Sequence, residues 1–277
     1  MIVVDDNSDP EKVDFNHFPQ WKGTHYELYL TKEGKGAGYA RNVGLEYAKG
    51  EWVLFADADD YFLSDNLNRL FEMDIPDGEN VVLYQFKFYL KDGSFFIYPD
   101  IQALKDSAVD SLVVSYDTNE LCRNAVMPWA KMVRRSHLNH HNIRFDEIKW
   151  GNDMIYSTKL SLSVDSFRIA PLLVYSHEWF PSSLVNKEQG LEMYYQRALL
   201  SLQRAVLLHR RGKLNYNLFT DQWFLKVYSL SFFKSVWLKI RSFLQLGPHY
   251  CVDNWRQFTR KPLYLTRLFV KRLIKEA

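Results

Sequence analysis

The sequence predicts an α/β protein, in which a mostly parallel, doubly wound sheet is followed by a helical region. Two observations predict this class. Short apolar runs alternate with helical stretches through the first third of the chain, and helical patterns fill the chain from about Glu188 onward. The chain has 277 residues, of which 47% are hydrophobic, so it can bury a sizeable core. This composition excludes a disordered or collagen-like protein.

The predicted elements follow one another in a definite order. They are strands at residues 2–4 and 26–30, a helix at 37–48, a strand at 52–56, a hairpin at 82–98, a helix at 150–162 and a strand at 167–175. The helical region behind them breaks at Gly247-Pro248, a pair typical of a turn. We therefore expect two domains, residues 1–185 and residues 186–277.

Charge is divided unevenly between two parts of the chain. Residues 1–190 hold 19 Lys and Arg against 29 Asp and Glu, a net charge of −10, whereas residues 191–277 hold 16 against 4, a net charge of +12. The basic part is expected to face something anionic, such as a membrane surface. Nucleic acid is not the expected partner, because no nucleic-acid-binding module accompanies the charge.

Several sequence features bear on the compartment. No secretory signal is visible at the beginning of the sequence, and no uncharged apolar run reaches the roughly 18 residues that a membrane-spanning helix needs. The two cysteines, Cys122 and Cys251, lie far apart and lack metal-binding spacing. These features predict a cytoplasmic protein that is soluble or bound at the periphery of a membrane.

An acidic cluster follows the apolar run at residues 52–56. Asp57 and Asp59 are two residues apart on an extended segment, so their side chains point the same way, and Asp60 follows. Mg²⁺ and Mn²⁺ take such oxygen ligands together with substrate phosphates. The alternative is a solvated loop before the next helix. An EF-hand calcium loop is excluded by Tyr61 and Phe62. A phosphatase with an aspartyl nucleophile is a weak alternative, because Thr or Val would be expected in place of Tyr61.

A glycine-rich segment precedes the helix predicted at residues 37–48. It reads Gly34-Lys35-Gly36-Ala37-Gly38, and glycines before a helix can bring backbone N–H groups to a phosphate. Tyr39 stands where a dinucleotide fingerprint needs its third glycine, and the segment does not end in the Lys-Ser or Lys-Thr pair of a Walker loop. A flexible loop and a phosphate site therefore remain equal interpretations of these residues.

The order and spacing of these segments resemble those of glycosyltransferase family 2, whose fold is called GT-A. The segments that carry the resemblance are Val4-Asp5-Asp6, Gly38-Tyr39-Ala40-Arg41-Asn42, Trp52 to Asp60, Pro128-Trp129-Ala130-Lys131, Ile143-Arg144-Phe145-Asp146 and Gly151-Asn152-Asp153. The resemblance covers roughly residues 1–185. It implies a GT-A domain with a helical appendage, and a transferase that uses a nucleotide sugar.

The resemblance also implies roles for single residues. Asp5 and Asp6 fall on the cluster that contacts the nucleotide base, Arg41 and Asn42 on the wall of the donor pocket, Asp57 on the ribose contact, Asp59 on the metal ligand and Asp153 on the catalytic base. The base motif usually reads Glu-Asp, and here Asn152 replaces the Glu. Some relatives carry a metal-binding histidine near the position of His177, and the alternative is a histidine of the pocket wall.

The resemblance implies a metal-dependent, inverting glycosyltransferase of polysaccharide assembly, with Mn²⁺ or Mg²⁺ as cofactor. Its donor would be a nucleotide sugar, foremost a UDP-sugar, and its acceptor a glycan or a lipid-linked glycan. One base and one Lewis acid suffice for this reaction. The competing class is a family member that has lost catalysis and serves as a membrane-peripheral partner of another transferase.

Two regions depart from the resemblance. About thirty residues, a strand and a helix, precede the Val-Asp-Asp segment in relatives, so we expect either an earlier natural start or a sheet that closes differently. The basic C-terminal region mixes aromatic and basic side chains over residues 220–277, which suits helices lying on the inner face of a plasma membrane. A helical cap packed on the catalytic core is the equal alternative.

Overall fold

A computed structural model of the chain describes residues 1–13, 25–98, 114–117, 127–181, 190–214 and 217–260. The chain divides into two compact units, Met1–Glu188 and Gln189–Ala277. The sequence places this division after residue 185.

The first unit contains strands and helices in alternation, and all seven elements predicted for it are present. The strands are β1 Ile2–Asp5, β2 Glu27–Leu30, β3 Trp52–Leu54, β4 Tyr61–Phe62, β5 Val81–Tyr89, β6 Phe95–Tyr98, β7 Val114–Asp117, β8 Lys131–Arg134 and β9 Ser166–His177. The α-helices are α1 Ala37–Tyr47, α2 Ser64–Phe71, α3 Arg135–His140 and α4 Asn152–Leu162, and Pro128–Ala130 forms a 3-10 turn. The strands β4, β7 and β8 were not anticipated by the sequence pattern.

Seven of these strands form one mixed sheet. Its order is β3-β8-β5-β9-β4, with β6 added to β5 and β7 added to β9. The strands β3, β5 and β9 run in one direction, and β4, β6, β7 and β8 run in the other. The expectation of a mostly parallel sheet is therefore corrected. The strand–helix alternation that favours parallel pairing ends early, and a short turn forces β6 to return antiparallel beside β5.

A second, two-stranded sheet consists of β1 and β2, which pair in parallel. Helix α1 packs on both sheets. A Cβ at Gly44 would lie 3.5 Å from the Val4 side chain on β1, and Leu45 is buried in the same cluster as Val53 on β3. No pairing joins β1 to β3 among the described strands.

The core of the first unit lies in two layers, one on each face of the large sheet. Along β5 the buried side chains alternate, so that Val81 and Leu83 join one cluster while Val82 and Tyr84 join the other. The first layer includes Phe145 and Tyr156, whose rings stack 3.9 Å apart. The second layer includes Trp129, Tyr175 and Phe86. The acidic loop at residues 57–60 follows β3 directly.

The second unit is helical in its described part, as the sequence predicts. Its helices are α5 Leu191–Arg210, α6 Gln222–Leu230, α7 Phe232–Leu246 and α8 Pro248–Arg260. Asp221 caps α6 by accepting from the Trp223 and Phe224 N–H groups, and Gly247, at φ 84°, separates α7 from Pro248. No helix in the described ranges has the length and apolar character needed to cross a membrane.

Candidate active site

Three distant segments of the chain meet at Arg41 on α1. The guanidinium of Arg41 forms an ion pair with Asp57 after β3 and donates a hydrogen bond of 2.8 Å to the Asn152 Oδ1 at the start of α4. Its side chain is only 14% exposed, so solvent screens these interactions weakly. The ring of Phe145 lies 5.4 Å from the guanidinium carbon. Arg41 thereby links the acidic loop to the residue that precedes Asp153.

The acidic loop is held from the other side by Asp60. The Asp60 side chain is fully buried, and its two oxygens accept from the Tyr175 hydroxyl at 2.8 Å, the Glu178 N–H at 2.9 Å and the His177 Nδ1 at 3.0 Å. The Tyr175 hydroxyl in turn accepts from the Asp57 N–H at 3.0 Å. The end of β9 therefore fixes the loop at both Asp57 and Asp60.

Asp59 lies between these two anchored aspartates and is exposed. The pKa of its carboxyl group is raised, first by loss of solvent and then by the negative charges of Asp60 and Asp57. A cation bound there would lower the pKa again. Within the described ranges no group of three or more His, Cys, Asp or Glu side chains forms a closed metal site. The donor set fits a hard divalent cation held by one or two carboxylates together with ligand phosphates.

His177 is oriented by the same buried carboxylate. Burial disfavours its protonation, but the hydrogen bond to Asp60 and the neighbouring carboxylate charges prevail and raise the pKa of its imidazole. With Nδ1 directed to Asp60, Nε2 is the nitrogen that remains for a ligand. Carboxylate-oriented histidines of this kind are common beside metals. An imidazolium does not ligate a metal, however, so metal binding at His177 would require deprotonation.

Asp153 stands in the first turn of α4, directly after Asn152. Burial raises the pKa of its carboxyl group, and the charges of Arg41 and Lys131 act in the opposite direction. Lys131 is 1% exposed and donates to the Ser157 Oγ at 3.1 Å, one turn further along α4. A carboxylate near two fixed cations, with limited solvent around it, is suited to general base chemistry.

Asp6 uses its carboxylate to hold the glycine-rich segment. It accepts from the Thr31 hydroxyl at 2.5 Å, the Gly34 N–H at 3.0 Å and the Gly36 N–H at 2.5 Å. The sequence left a flexible loop and a phosphate site as equal interpretations of this segment. In the structure the Gly34 and Gly36 N–H groups instead donate to the Asp6 carboxylate. Asp5 accepts from the Ser8 N–H at 3.2 Å. Contact of Asp5 or Asp6 with a base stays a prediction.

Asn42 joins α1 to the chain beyond β8. Its side-chain amide donates to the Phe145 carbonyl at 3.0 Å and accepts from the Phe145 N–H at 2.9 Å. The Asn42 side chain thus donates to and accepts from the backbone of one residue, as paired β-strand residues do. These two hydrogen bonds fix α1 against residue 145. The role of Asn42 in the present structure is to position α1, and contact with a donor stays a prediction.

The sequence did not indicate that Asp60 and Tyr175 hold the acidic loop, or that Lys131 is buried beside α4. Tyr175 lies inside an apolar strand and is typical of a core residue by pattern, and a lysine that is buried cannot be told from an exposed one. Trp129 is a core residue, because its ring stacks on Tyr175 at 4.9 Å and it is 5% exposed.

Gly38 allows α1 to approach the start of α4. A Cβ at Gly38 would lie 2.2 Å from the Asp146 carbonyl oxygen, which is backbone, and 3.0 Å from the Asn152 Cβ. Gly38→Ala is expected to lower the free energy of unfolding by about 1–3 kcal/mol, despite the better helix propensity of alanine. Gly44→Ala is the control in the same helix, because its Cβ would make only ordinary contacts with Val4 and Ile2. Chemical denaturation of both variants checks this, and equal effects would contradict it.

Comparison with known proteins finds that the chain is similar to glycosyltransferases. The family model described as Glycosyl transferase family 2 matches residues 1–130. An uncharacterized glycosyltransferase of Haemophilus influenzae is 32% identical over 69 residues, which are 25% of this chain and 28% of that protein. A cholesterol galactosyltransferase of Borreliella burgdorferi is 23% identical over 86% of this chain and 67% of its own length. The chain thus spans about two thirds or less of these curated relatives.

A solved structure agrees in fold. The crystal structure of S. aureus TarS 1-349 in complex with UDP-GlcNAc aligns with 90% of this chain and 73% of that chain, at a TM-score of 0.61 and 19% identity. At this identity the likeness concerns the fold alone. The chain has the mixed α/β architecture of GT-A glycosyltransferases, so the GT-A fold class expected from the sequence is confirmed, although its sheet is not mostly parallel.

Proposed function

We propose that the chain transfers a sugar from a nucleotide-sugar donor to an acceptor in polysaccharide biosynthesis, as the match of residues 1–130 to the glycosyl transferase family 2 model suggests. One observation carries the proposal. Arg41 links Asp57 after β3 to Asn152 at the start of α4, so a loop suited to a donor and its cation lies beside a candidate base.

The donor is proposed to be a UDP-sugar. The complex of TarS with UDP-GlcNAc supports this choice through the shared fold. In the proposal Asp57 contacts the ribose, Arg41 forms the pocket wall and holds Asp57 in place, and Asp5 and Asp6 lie by the base. The hydrogen bonds of Asp6 to the loop at Gly34 and Gly36 would shape that end of the pocket.

Mn²⁺ or Mg²⁺ is the proposed cofactor, with Asp59 as its main protein ligand and His177 Nε2 as a second. The pKa of Asp59 is raised first by burial and then by the charges of Asp60 and Asp57, and a cation would favour the ionised carboxylate against both effects. When bound, such an ion neutralises charge that develops on the departing diphosphate. Asp60 and Tyr175 contribute by fixing the loop from which Asp59 projects.

Asp153 is the proposed base of an inverting transfer. Its carboxylate takes the proton of the acceptor hydroxyl while that oxygen bonds to the anomeric carbon and the bond to the diphosphate oxygen breaks. Burial raises the pKa of Asp153, and the charges of Arg41 and Lys131 oppose that effect by favouring the carboxylate. No covalent intermediate is needed, because a single displacement inverts the anomeric carbon. The acceptor is proposed to be a glycan or a lipid-linked glycan.

The alternative function is a transferase relative without catalysis, which binds another transferase at the membrane. It has the weaker support, since Asp57, Asp59 and Asp153 are all retained and lie on elements joined by Arg41. In either case we propose a cytoplasmic location, with peripheral contact to the inner face of the plasma membrane through residues 220–277.

A donor screen tests the proposed function. Thermal unfolding of the full chain is followed with a set of nucleotide diphosphate sugars, each with Mn²⁺ and with a chelator. A ligand at about 100 times its dissociation constant stabilises a protein by about 2.7 kcal/mol, so a UDP-sugar should raise the unfolding temperature by several degrees only when Mn²⁺ is present. Slow release of UDP from that donor would separate the enzyme from the inactive relative. Absence of any metal-dependent shift would contradict the proposal.

A further inference from the structure

Helix α7 carries the most exposed apolar surface in the second unit. Phe232 and Phe233 are 75% and 84% exposed, and Leu244 is 76% exposed. Trp237, Ile240 and Phe243 are each between 42% and 49% exposed. All six side chains are large and apolar, so leaving them in water is costly at roughly 25 cal/mol per Å².

These side chains form one continuous face. At about 100° per residue, Phe232, Phe243, Ile240, Phe233, Leu244 and Trp237 lie within an arc of about 140° around α7. The opposite side of the helix is the one packed in the unit, through Ser235, Leu238, Ser242 and Leu246. We call the exposed arc the aromatic face. An apolar face that is this wide and unpartnered in the described part of the unit indicates a binding surface.

Basic side chains border the aromatic face on both sides. By the same angular spacing, Lys239 lies about 20° beyond Phe232, and Arg241 lies about 40° beyond Trp237. Both are exposed, and α7 contains no Asp or Glu. The charge of Arg241 lies 5.7 Å from the Trp237 ring. The helix thus combines an apolar strip with a cation on each border.

We infer that α7 lies in the interface of an anionic membrane, with its aromatic face toward the acyl chains and Lys239 and Arg241 at the headgroups. Three observations favour a lipid occupant: the width of the apolar arc, the two basic borders, and the net charge of +12 on residues 191–277. A helix of this kind binds in the interface plane without spanning the bilayer. The inference does not depend on the proposed sugar transfer.

Vesicle binding of the full chain tests the inference. It should co-sediment with vesicles of phosphatidylcholine and phosphatidylglycerol at low salt, and far less with phosphatidylcholine alone. Lys239→Gln with Arg241→Gln should weaken binding about thirtyfold, because each basic side chain near an anionic surface contributes about 1 kcal/mol. The difference from the unsubstituted chain should shrink as salt increases.

The aromatic face is tested with a matched pair of double variants. Phe233→Ser with Leu244→Ser should reduce binding at least tenfold. Phe71→Ser with Leu90→Ser removes one exposed phenylalanine and one exposed leucine in the first unit, at 57% and 42% exposure, and should leave binding unchanged. Circular dichroism of both variants verifies that the helices remain.

Trp237 provides an independent readout. Its emission should shift to the blue on vesicle addition, and Trp237→Phe should retain binding while losing most of the shift. Three results would overturn the inference: no sedimentation with anionic vesicles at low salt, equal binding by the Phe233→Ser, Leu244→Ser variant, or a dimer in solution that this variant dissociates. The last result would assign the aromatic face to a second copy of the chain.

Discussion

Replacing Asp153 by asparagine is expected to reduce sugar transfer by about 10²–10⁴-fold, while donor binding stays near normal. Asparagine has the size of aspartate but cannot accept the proton of the acceptor hydroxyl. The pKa of Asp153 is raised by burial, so the acid limb of the pH–rate profile should lie above the ordinary aspartate pKa of about 4. Activity should fall as the pH decreases through that raised value, since only the ionised form is a base.

Asp59→Asn is the control for the Asp153 prediction. It removes the proposed metal ligand, so it should abolish Mn²⁺-dependent donor binding as well as transfer. Steady-state transfer assays and donor titrations with Mn²⁺ or chelator distinguish the two variants. Near-normal turnover by Asp153→Asn would remove Asp153 from the role of base, even if the donor screen had succeeded.

The local elements of the first unit could be predicted from sequence because their signals are local. The hairpin of β5 and β6 is indicated by two apolar runs around Lys91-Asp92-Gly93-Ser94, and α1 by its apolar spacing. The direction of β8 could not be predicted in this way. Its pairing with β3 joins Trp52 to Arg134, and a contact between residues so far apart leaves no periodic trace in the sequence.

The site was predictable as a set of segments but not as a set of contacts. The resemblance to glycosyltransferase family 2 implies that residues 41, 57 and 153 belong to one site, and Arg41 does join Asp57 to Asn152. The pairing of Asn42 with the Phe145 backbone was not predictable. The sequence does not show whether an asparagine side chain contacts a ligand or the main chain. Asp60 was overlooked for a related reason, since its partners lie at the far end of β9.

Asp60→Asn is expected to lower the free energy of unfolding by about 2–3 kcal/mol and to weaken Mn²⁺-dependent donor binding. The fully buried carboxylate accepts from Tyr175, His177 and the Glu178 N–H. An asparagine would turn an NH₂ group toward one of these donors and would lose the charge that pairs with the imidazole. Asp65→Asn is the matched control, because it makes the same chemical change at an exposed residue at the start of α2.

The pH dependence of stability gives Asp60 a second signature. The pKa of His177 is higher in the folded chain than in the unfolded chain. Its interaction with Asp60 therefore makes its full contribution to the stability of the folded chain below the unfolded histidine pKa of about 6.5. That contribution is lost as the pH increases through the raised folded pKa. Denaturation of the metal-free chain should therefore show a decline in stability as the pH rises from about 6.5 through the raised folded pKa of His177, and Asp60→Asn should lack this decline.

Tyr175→Phe separates the positioning of the loop from the stability of the core. It keeps the ring stacked on Trp129 but removes the hydroxyl that accepts from the Asp57 N–H and donates to Asp60. If the hydroxyl positions the loop, Tyr175→Phe should need more Mn²⁺ for half-maximal donor binding at temperatures well below unfolding. Tyr61→Phe makes the same change at an exposed tyrosine and should not alter the Mn²⁺ requirement. A variant that is less stable but keeps the normal Mn²⁺ requirement would mean that Asp60 and Tyr175 hold β9 and the loop together without setting the position of Asp59.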